Sequence, residues 1–274
     1  MDRYAVVGNP IGHSRSPDIH RLFAQATHQA ISYERLEGPI DGFEEFALGL
    51  RDAGYLGLNV TIPFKLDAAK LADSLTSRAR LAGAVNTLKF EGDTICGDNS
   101  DGIGFVRDIK HRLGFKVSNA AILVLGAGGG VRGLIASLLE ERPKWIAVAN
   151  RTHNRAQELA DEFGVEAIRL DEIPAEHFDM IVNGTSSSLN QDAPPIDPGT
   201  FDDCTVAYDL VYAPEATAFM RLAHSSGARA VSDGLGMLIE QAAESFLFWR
   251  GVRPDTAPVY RELRRILEQS RASA

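Results

Sequence analysis

The sequence predicts an α/β protein with two domains, the second of which contains a doubly wound parallel sheet. Segments typical of short buried strands alternate with segments whose apolar residues recur at helical spacing, and this alternation implies parallel strands. The apolar segment Ala121–Leu125 runs into a glycine-rich turn and then into a helical pattern, which is the order of a nucleotide-binding unit. The length of 274 residues is sufficient for one large domain or two modest ones.

The first part of the chain alternates between predicted strands and helices and then ends in a hairpin. The first helix is expected to start at Ser16, which precedes Pro17 and is suited to cap it. The strands are predicted at 4–7, 31–36 and 56–60, the helices at 16–26, 43–53 and 65–74, and the hairpin strands at 84–90 and 94–97. The first domain is expected to end near this hairpin.

A helix over 101–111 leads into the second domain, which continues the alternation. Its strands are predicted at 121–125, 145–149, 180–182 and 206–210, and its helices at 131–141 and 155–163. This series predicts the doubly wound sheet. Two further helices are predicted after Gly236, the second over 257–270, and their apolar residues leave open which domain they cover.

Composition and charge argue against several classes of function. The net charge of −9, from 37 acidic and 28 basic side chains, is unsuited to a protein whose main task is to neutralise nucleic-acid phosphates. Cys96 and Cys204 are too few for a disulfide scaffold, and the seven histidines have no metal-ligand spacing. No apolar run approaches the roughly 20 residues that span a bilayer. Because the first ten residues also lack the apolar core of a signal peptide, we expect a cytoplasmic protein with no metal, no nucleic-acid partner and no membrane partner.

A glycine-rich turn after the strand 121–125 is the predicted binding site of a dinucleotide pyrophosphate. Small residues let the backbone approach the phosphates, which the free N–H groups of the following helix then bind. The turn consists of Gly126, Ala127, Gly128, Gly129 and Gly130. It departs from the G-x-G-x-x-G pattern because Val131 occupies the last position, so the prediction depends on its context between a strand and a helix.

The residues after the next strand indicate which cofactor is bound. An acidic residue there would bind a free ribose 2′-hydroxyl and repel a 2′-phosphate, but this chain has Asn150, Arg151, Thr152 and, further on, Arg155. Arg151, with Arg155 as a second candidate, offers planar donors that suit a phosphate. We therefore predict NADP rather than NAD. The alternative is a tight turn followed by two solvated arginines.

Lys65 and Asp101 are the candidate catalytic residues. Reduction of a ketone requires a hydride on carbon and a proton on oxygen, so the site needs a proton donor. Lys65 follows a strand end, where ligands of open α/β sheets bind, and Asp101 is placed to orient its ammonium or to accept from a substrate hydroxyl. The alternatives are a surface lysine and a turn or cap aspartate. The protonation state of Lys65 stays open, because Asp101 favours the charged form whereas desolvation favours the neutral one.

Neutral polar residues accompany this pair and indicate the chemistry of the substrate. Their hydroxyl and amide groups suit a polyhydroxylated ring that bears a carboxylate. The candidates are Ser14, Ser16, Asn59, Thr61 and Asn86. For Ser16, the alternative role is the helix cap described above.

Taken together, these segments resemble the shikimate dehydrogenase family over essentially the whole chain. The resemblance lies in Gly8–Pro17, Asn59–Thr61 with Lys65, Gly83–Thr87, Gly97–Gly102, the glycine turn, Asn150–Thr152, and Gly234–Leu238 with Gln241. So many motifs in order are highly specific. The resemblance implies reversible, NADP-linked reduction of 3-dehydroshikimate to shikimate, a step toward chorismate and the aromatic amino acids.

The same resemblance implies domain roles and further site residues. Residues 1–101 would form the substrate-binding and catalytic domain, residues 102–234 the Rossmann NADP-binding domain, and residues 235–274 helices that pack on the substrate domain. Tyr212 and Gln241 would join the polar residues that hold the substrate, and Leu210 and Gly234 would contact the nicotinamide end of the cofactor. The partners would be small molecules only, and the protein a monomer or homodimer.

Three positions depart from the family's usual residues. Ser100 replaces a threonine, Gly184 replaces an alanine, and Gly130 stands where another small residue is common. The two glycines are expected to loosen loops on the cofactor side. These departures leave open a quinate/shikimate dehydrogenase or a less efficient paralogue. An alternative of a different class is a non-catalytic NADP-sensing regulator, against which the retention of Lys65 and Asp101 argues.

Overall fold

The computed structural model describes residues 1–174 and 177–272, and they form two compact units. Unit 1 comprises Met1–Gly104 and Leu238–Leu263, and unit 2 comprises Phe105–Met237 and the residues from Arg264 onward. Each unit contains one sheet with helices beside it, so the predicted α/β class with two domains is confirmed. Within the described residues, every helix is too short or too polar to cross a bilayer.

Unit 1 is built on a mixed sheet. Its strands are β1 (Asp2–Gly8), β2 (Ile31–Glu37), β3 (Tyr55–Val60), β4 (Ser74–Leu75), β5 (Thr87–Glu91) and β6 (Thr94–Asp98), in the order β2-β1-β3-β5-β6-β4. β1 pairs in parallel with β2 and β3, whereas β5 is antiparallel to both β3 and β6. The parallel pairing expected from the alternating elements is found among β1, β2 and β3, and the predicted hairpin is the antiparallel pair β5–β6.

The helices of unit 1 correct two details of the prediction. They are α1 (Ser16–Thr27), α2 (Phe43–Asp52), α3 (Lys65–Leu71) and α4 (Ser77–Ala82). The helix predicted at 65–74 ends at Leu71, because Ser74 in β4 pairs with Cys96 in β6. A separate helix, α4, then begins after Thr76, whose hydroxyl oxygen caps it by accepting from the Ala79 backbone N–H at 3.2 Å. Ser16 does not cap α1: it is the first helical residue, and Arg15 occupies the cap position without a side-chain bond.

Unit 2 contains the predicted doubly wound sheet. Its strands are β7 (Ala121–Leu125), β8 (Trp145–Asn150), β9 (Glu166–Arg169), β10 (Met180–Asn183), β11 (Val206–Asp209) and β12 (Ala230–Ser232). Neighbouring strands pair in parallel in the order β12-β11-β10-β7-β8-β9, which is the Rossmann order with its switch point between β7 and β10. The helices are α5 (Asp101–His111), α6 (Gly129–Glu140), α7 (His153–Phe163) and α8 (Ala218–Ser225). The first four residues of α5 belong to unit 1.

Both faces of the central strand β7 are buried. Ile122 and Val124 belong to one apolar cluster, and Leu123 and Leu125 belong to another on the opposite face. The sequence of a strand that is buried on both faces is a continuous apolar run, which is why β7 could be predicted. The carboxyl end of β7 is thereby fixed by packing on both sides, and it leads directly into the glycine turn.

The C-terminal helices α9 (Leu235–Arg250) and α10 (Ala257–Ala272) contribute residues 238–263 to unit 1. Trp249 stacks on Tyr4 with ring centroids 4.6 Å apart and donates to the Leu88 carbonyl at 2.9 Å. Gly57 makes room for the indole, because a Cβ at Gly57 would lie 2.4 Å from its Nε1. Residues 238–263 therefore pack within unit 1, which places most of α9 beside its polar residues, whereas residues 264–272 of α10 belong to unit 2.

Candidate functional site

The two predicted catalytic side chains meet in unit 1. Lys65 is the first residue of α3 and Asp101 the first of α5. The Lys65 Nζ donates to the Asp101 Oδ2 at 2.5 Å, and the two side chains are 26% and 13% exposed. The pair is therefore open to a ligand on one side. An ammonium held by a carboxylate can deliver a proton to an oxygen placed beside it.

Asn86 holds the second oxygen of the Asp101 carboxylate. Its Nδ2 donates to the Asp101 Oδ1 at 2.8 Å, and its Oδ1 accepts from the Ser100 backbone N–H at 2.9 Å and the Thr87 hydroxyl at 2.9 Å. Asn86 is only 3% exposed. Because both carboxylate oxygens have a donor, Asp101 is fixed in orientation relative to Lys65.

Asn59 lies near the end of β3, and the side chains of three residues hold its amide in place. Its Oδ1 accepts from the Tyr33 hydroxyl at 2.7 Å, and its Nδ2 donates to Ser245 Oγ at 2.9 Å and Thr87 Oγ1 at 3.1 Å. Burial holds the pKa of Tyr33 well above its usual value, so this hydroxyl stays protonated and donates. Tyr33 and Ser245 were missed from the sequence because no local pattern relates them to Asn59.

Gln241 joins the same cluster from α9. Its Oε1 lies 3.4 Å from the Asn86 Nδ2 and 3.3 Å from the Ser100 hydroxyl. Gly104 permits this approach, since a Cβ there would lie 2.6 Å from the Gln241 backbone nitrogen. Lys65, Asp101, Asn86 and Gln241 are thus brought together, with Asn59 linked through Thr87.

Ser14 and Thr61 lie in loops of unit 1, and Ser16 is the first residue of α1. The Ser14 hydroxyl donates to the Ser16 hydroxyl at 3.2 Å, and the Ser14 carbonyl accepts from Arg35 Nε at 2.7 Å. Thr61 follows β3, and its backbone N–H donates to the carbonyl of Val7 in β1 at 2.9 Å. The two serines form one group, and within the described part of the chain no direct bond joins them to the Lys65–Asp101 pair.

The glycine turn of unit 2 has the form of an anion cradle. Gly126 has φ +105°, and a Cβ there would lie 2.9 Å from the Gly184 backbone, so this position requires glycine. Gly128 is the N-cap of α6, and Gly129 and Gly130 are its first residues. A Cβ at any of these three would have nothing within 4 Å. No other atoms of the described residues therefore crowd the start of α6 at these positions, which leaves room for a dinucleotide pyrophosphate at the N-terminus of the helix.

The segment after β8 presents two exposed arginines. The side chain of Asn150 donates to the Thr152 carbonyl at 2.8 Å and so closes the turn. Arg151 and Arg155 are exposed, and among the described residues neither is held in a salt bridge. Their guanidinium groups are available to a phosphate, so the donor set of unit 2 fits NADP.

Leu210 and Gly234 lie in direct contact within unit 2. A Cβ at Gly234 would lie 2.1 Å from the Leu210 carbonyl oxygen, so only glycine fits. Tyr212 follows two residues after Leu210 and is half-buried.

The glycine at position 184 is explained by packing, because a Cβ there would lie 2.5 Å from Cγ2 of Val131. Gly130 lies inside α6 rather than in a loop.

Comparisons with known proteins agree along the whole chain. Family models described as "Shikimate dehydrogenase substrate binding domain", "Shikimate / quinate 5-dehydrogenase" and "Shikimate 5'-dehydrogenase C-terminal domain" match residues 6–88, 108–191 and 234–264. The shikimate dehydrogenase (NADP(+)) of Herminiimonas arsenicoxydans is 51% identical over 96% of this chain and 97% of its own.

Solved structures give the same result. An Ael1 enzyme from Pseudomonas putida has a TM-score of 0.93 and 45% identity, over 96% of this chain and 98% of its own. The shikimate 5-dehydrogenase of Thermus thermophilus, solved in complex with NADP(H) and shikimate, has a TM-score of 0.89 and 35% identity, over 97% of this chain and 99% of its own. Similarity of this extent covers both units and the C-terminal helices.

Proposed function

The chain belongs to the shikimate dehydrogenase family, and we propose that it catalyses the reversible, NADP-dependent reduction of 3-dehydroshikimate to shikimate on the route to chorismate. The observation that carries this proposal is the 2.5 Å contact between the Lys65 ammonium and the Asp101 carboxylate. This pair supplies the proton donor that carbonyl reduction requires. We infer that the protein acts on small molecules in the cytoplasm, as a monomer or homodimer.

The polar residues of unit 1 support binding of a ring with several hydroxyls. Asn86, Asn59 and Gln241 are held in place by hydrogen bonds to neighbouring side chains, so little ordering is needed when a ligand binds. Ser14 and Ser16 offer hydroxyls suited to a carboxylate. We assign substrate binding to Ser14, Ser16, Asn59, Thr61, Asn86, Tyr212 and Gln241. In this proposal residues 1–101 bind the substrate, residues 102–234 bind NADP, and the helices within 235–274 complete the substrate domain.

The residues of unit 2 would hold the cofactor. The backbone of Gly126, Ala127, Gly128, Gly129 and Gly130 would bind the pyrophosphate, Asn150, Arg151, Thr152 and Arg155 the 2′-phosphate end, and Leu210 and Gly234 the nicotinamide end. When bound, NADPH supplies the hydride that reduces the carbonyl carbon.

Lys65 supplies the proton that the reduction requires. Negative charge develops on the carbonyl oxygen as its carbon is reduced, and a protonated Lys65 Nζ beside that oxygen stabilises the charge and then transfers a proton. Asp101 holds the ammonium in place and would accept from a neighbouring substrate hydroxyl. In the oxidation of shikimate, the neutral amine takes the proton back.

The experiment is a matrix of shikimate or quinate with NADP or NAD, measured as formation of reduced cofactor. We expect the highest kcat/KM with shikimate and NADP, because the chain offers arginines for the 2′-phosphate. Preference for quinate would assign the chain to the quinate/shikimate dehydrogenases, in line with its departures at Ser100 and Gly184. Absence of turnover with every pair would contradict the proposal and favour a non-catalytic NADP-binding role.

A further inference from the structure

Asp98, the last residue of β6, is a fully buried carboxylate near the Lys65–Asp101 pair. Its side chain has no exposed surface. Its Oδ1 accepts from Thr76 Oγ1 at 2.6 Å, from Arg78 Nε at 2.7 Å and from the Asn99 backbone N–H at 2.8 Å. Its Oδ2 accepts from Arg78 Nη2. A buried charge with this many donors is held in one position.

The position of Asp98 determines the positions of two proposed site residues. Its carbonyl accepts from the Asn86 backbone N–H at 3.0 Å. Asn99, the next residue, accepts from the Asp101 backbone N–H through its Oδ1 at 3.1 Å and donates to the Ala84 carbonyl at 3.0 Å. A shift of Asp98 would therefore move Asn86 and Asp101 together, and with them the carboxylate that holds Lys65.

Arg78 also connects this segment to α9. While its Nε and Nη2 bind Asp98, its Nη1 donates to Glu244 Oε2 at 3.1 Å. Glu244 is 7% exposed and accepts a second charged bond from Arg253. Gln241 lies one helical turn before Glu244 on α9 and faces Asn86 and Ser100. One guanidinium thus joins the segment that carries Asp101 to the helix that carries Gln241.

We propose that Arg78 is a positioning residue for the reaction, acting through Asp98 on Asn86 and Asp101 and through Glu244 on Gln241. This inference rests on the proposed function. Arg78 has no direct role in binding substrate or cofactor. Its planar guanidinium donates three bonds to two carboxylates, which a lysine ammonium at the end of a flexible stem cannot reproduce.

The test compares Arg78→Lys with the wild type in the oxidation of shikimate by NADP. Small misplacements of reacting groups lower rates strongly, so we expect kcat/KM for shikimate to fall about tenfold or more. The KM for NADP should change less than about twofold, because every proposed NADP ligand lies in unit 2. An inactive wild type would refute the proposed function, whereas an active wild type with an unchanged Arg78→Lys variant would refute this inference alone.

Arg250→Lys is the matched control. Arg250 also lies on α9, and it pairs with Asp2 and Gln29 away from the site. We expect this variant to keep wild-type kcat and KM even if its thermal stability falls. If both arginine variants lose activity in proportion to lost stability, with equal effects on shikimate and NADP, Arg78 has only a structural role and the inference is wrong.

Glu244→Gln decides the case in which Arg78→Lys does not fold. This variant keeps the Asp98–Arg78 pair and removes the charge on α9 to which both Arg78 and Arg253 donate. We expect a severalfold rise in the KM for shikimate, with kcat within about twofold of the wild type. An unchanged KM for shikimate in a folded Glu244→Gln variant would refute the link to Gln241.

Discussion

Acid should destabilise unit 1 through His20, a buried histidine on α1. His20 has no exposed surface, and neither ring nitrogen has a hydrogen-bond partner among the described residues. Its ring stacks on Tyr33 with centroids 4.1 Å apart, and Phe23, Phe246 and Trp249 surround it. Burial lowers the pKa of His20 from 6.5 to about 3.

The size of the effect follows from the two pKa values. Below pH 6.5 the unfolded chain takes up a proton at this histidine while the folded protein does not, so the free energy of unfolding decreases as the pH falls. Each pH unit below 6.5 removes about 1.4 kcal/mol until the folded state also titrates near pH 3. Between about pH 7.5 and pH 5, the loss is about 2 kcal/mol.

The assay is urea unfolding of wild type, His20→Phe and His20→Leu across this pH range. The variants are compared in a Trp145→Phe background, because Trp145 lies in unit 2. The fluorescence of Trp249 then reports on unit 1, since its ring centroid lies 5.4 Å from that of His20. Both variants should gain about 2 kcal/mol relative to wild type on acidification. Their offsets at neutral pH should differ, since only phenylalanine keeps an aromatic ring against Tyr33. Curves that run parallel to the wild type for both variants would refute the reasoning.

Three further predictions concern single positions. Arg151→Gln should raise the KM for NADP about 10- to 100-fold, because it removes a charged bond to the 2′-phosphate. The KM for NAD should stay unchanged, and equal effects on both cofactors would contradict this role of Arg151. Gly104→Ala should lower stability by about 1–3 kcal/mol in thermal unfolding, since its Cβ would lie 2.6 Å from the α9 backbone. The control Gly49→Ala, inside α2 with nothing within 4 Å, should instead stabilise by up to about 1 kcal/mol. Gly184→Ala should reduce stability by about 1–3 kcal/mol. The double variant with Val131→Ala should lose less stability than the two single variants together, and additive losses would contradict the contact.

The fold could be predicted from the sequence where a run of apolar residues ends at a glycine. β7 was predicted because five buried apolar residues precede Gly126. The strands β9 and β12 were missed because each is short and has only one buried residue, whereas the equally short β10 and β11 are buried throughout and form apolar runs. The end of α3 at Leu71 was missed because it depends on pairing between Ser74 and Cys96, a contact that no local pattern encodes.

The chemistry of the candidate site could be predicted from the sequence, but the hydrogen bonds and packing that hold its side chains in place could not. Lys65 and Asp101 were chosen for what carbonyl reduction requires, and the fold brings them together across 36 positions. The bond between Asn59 and Ser245 spans 186 positions, and neither Ser245 nor Tyr33 belongs to a recognisable motif. Gln241 was expected only from the family resemblance, since its place on α9 depends on how that helix packs in unit 1.

The central claim is that Lys65 transfers the proton in NADP-dependent oxidation of shikimate and reduction of 3-dehydroshikimate. The most direct measurement is kcat for Lys65→Met, which keeps most of the side-chain volume and removes the ammonium. We predict a decrease in kcat of about 10²- to 10⁴-fold, with NADP binding by titration unchanged. A Lys65→Met variant that oxidises shikimate at close to the wild-type kcat would contradict the account.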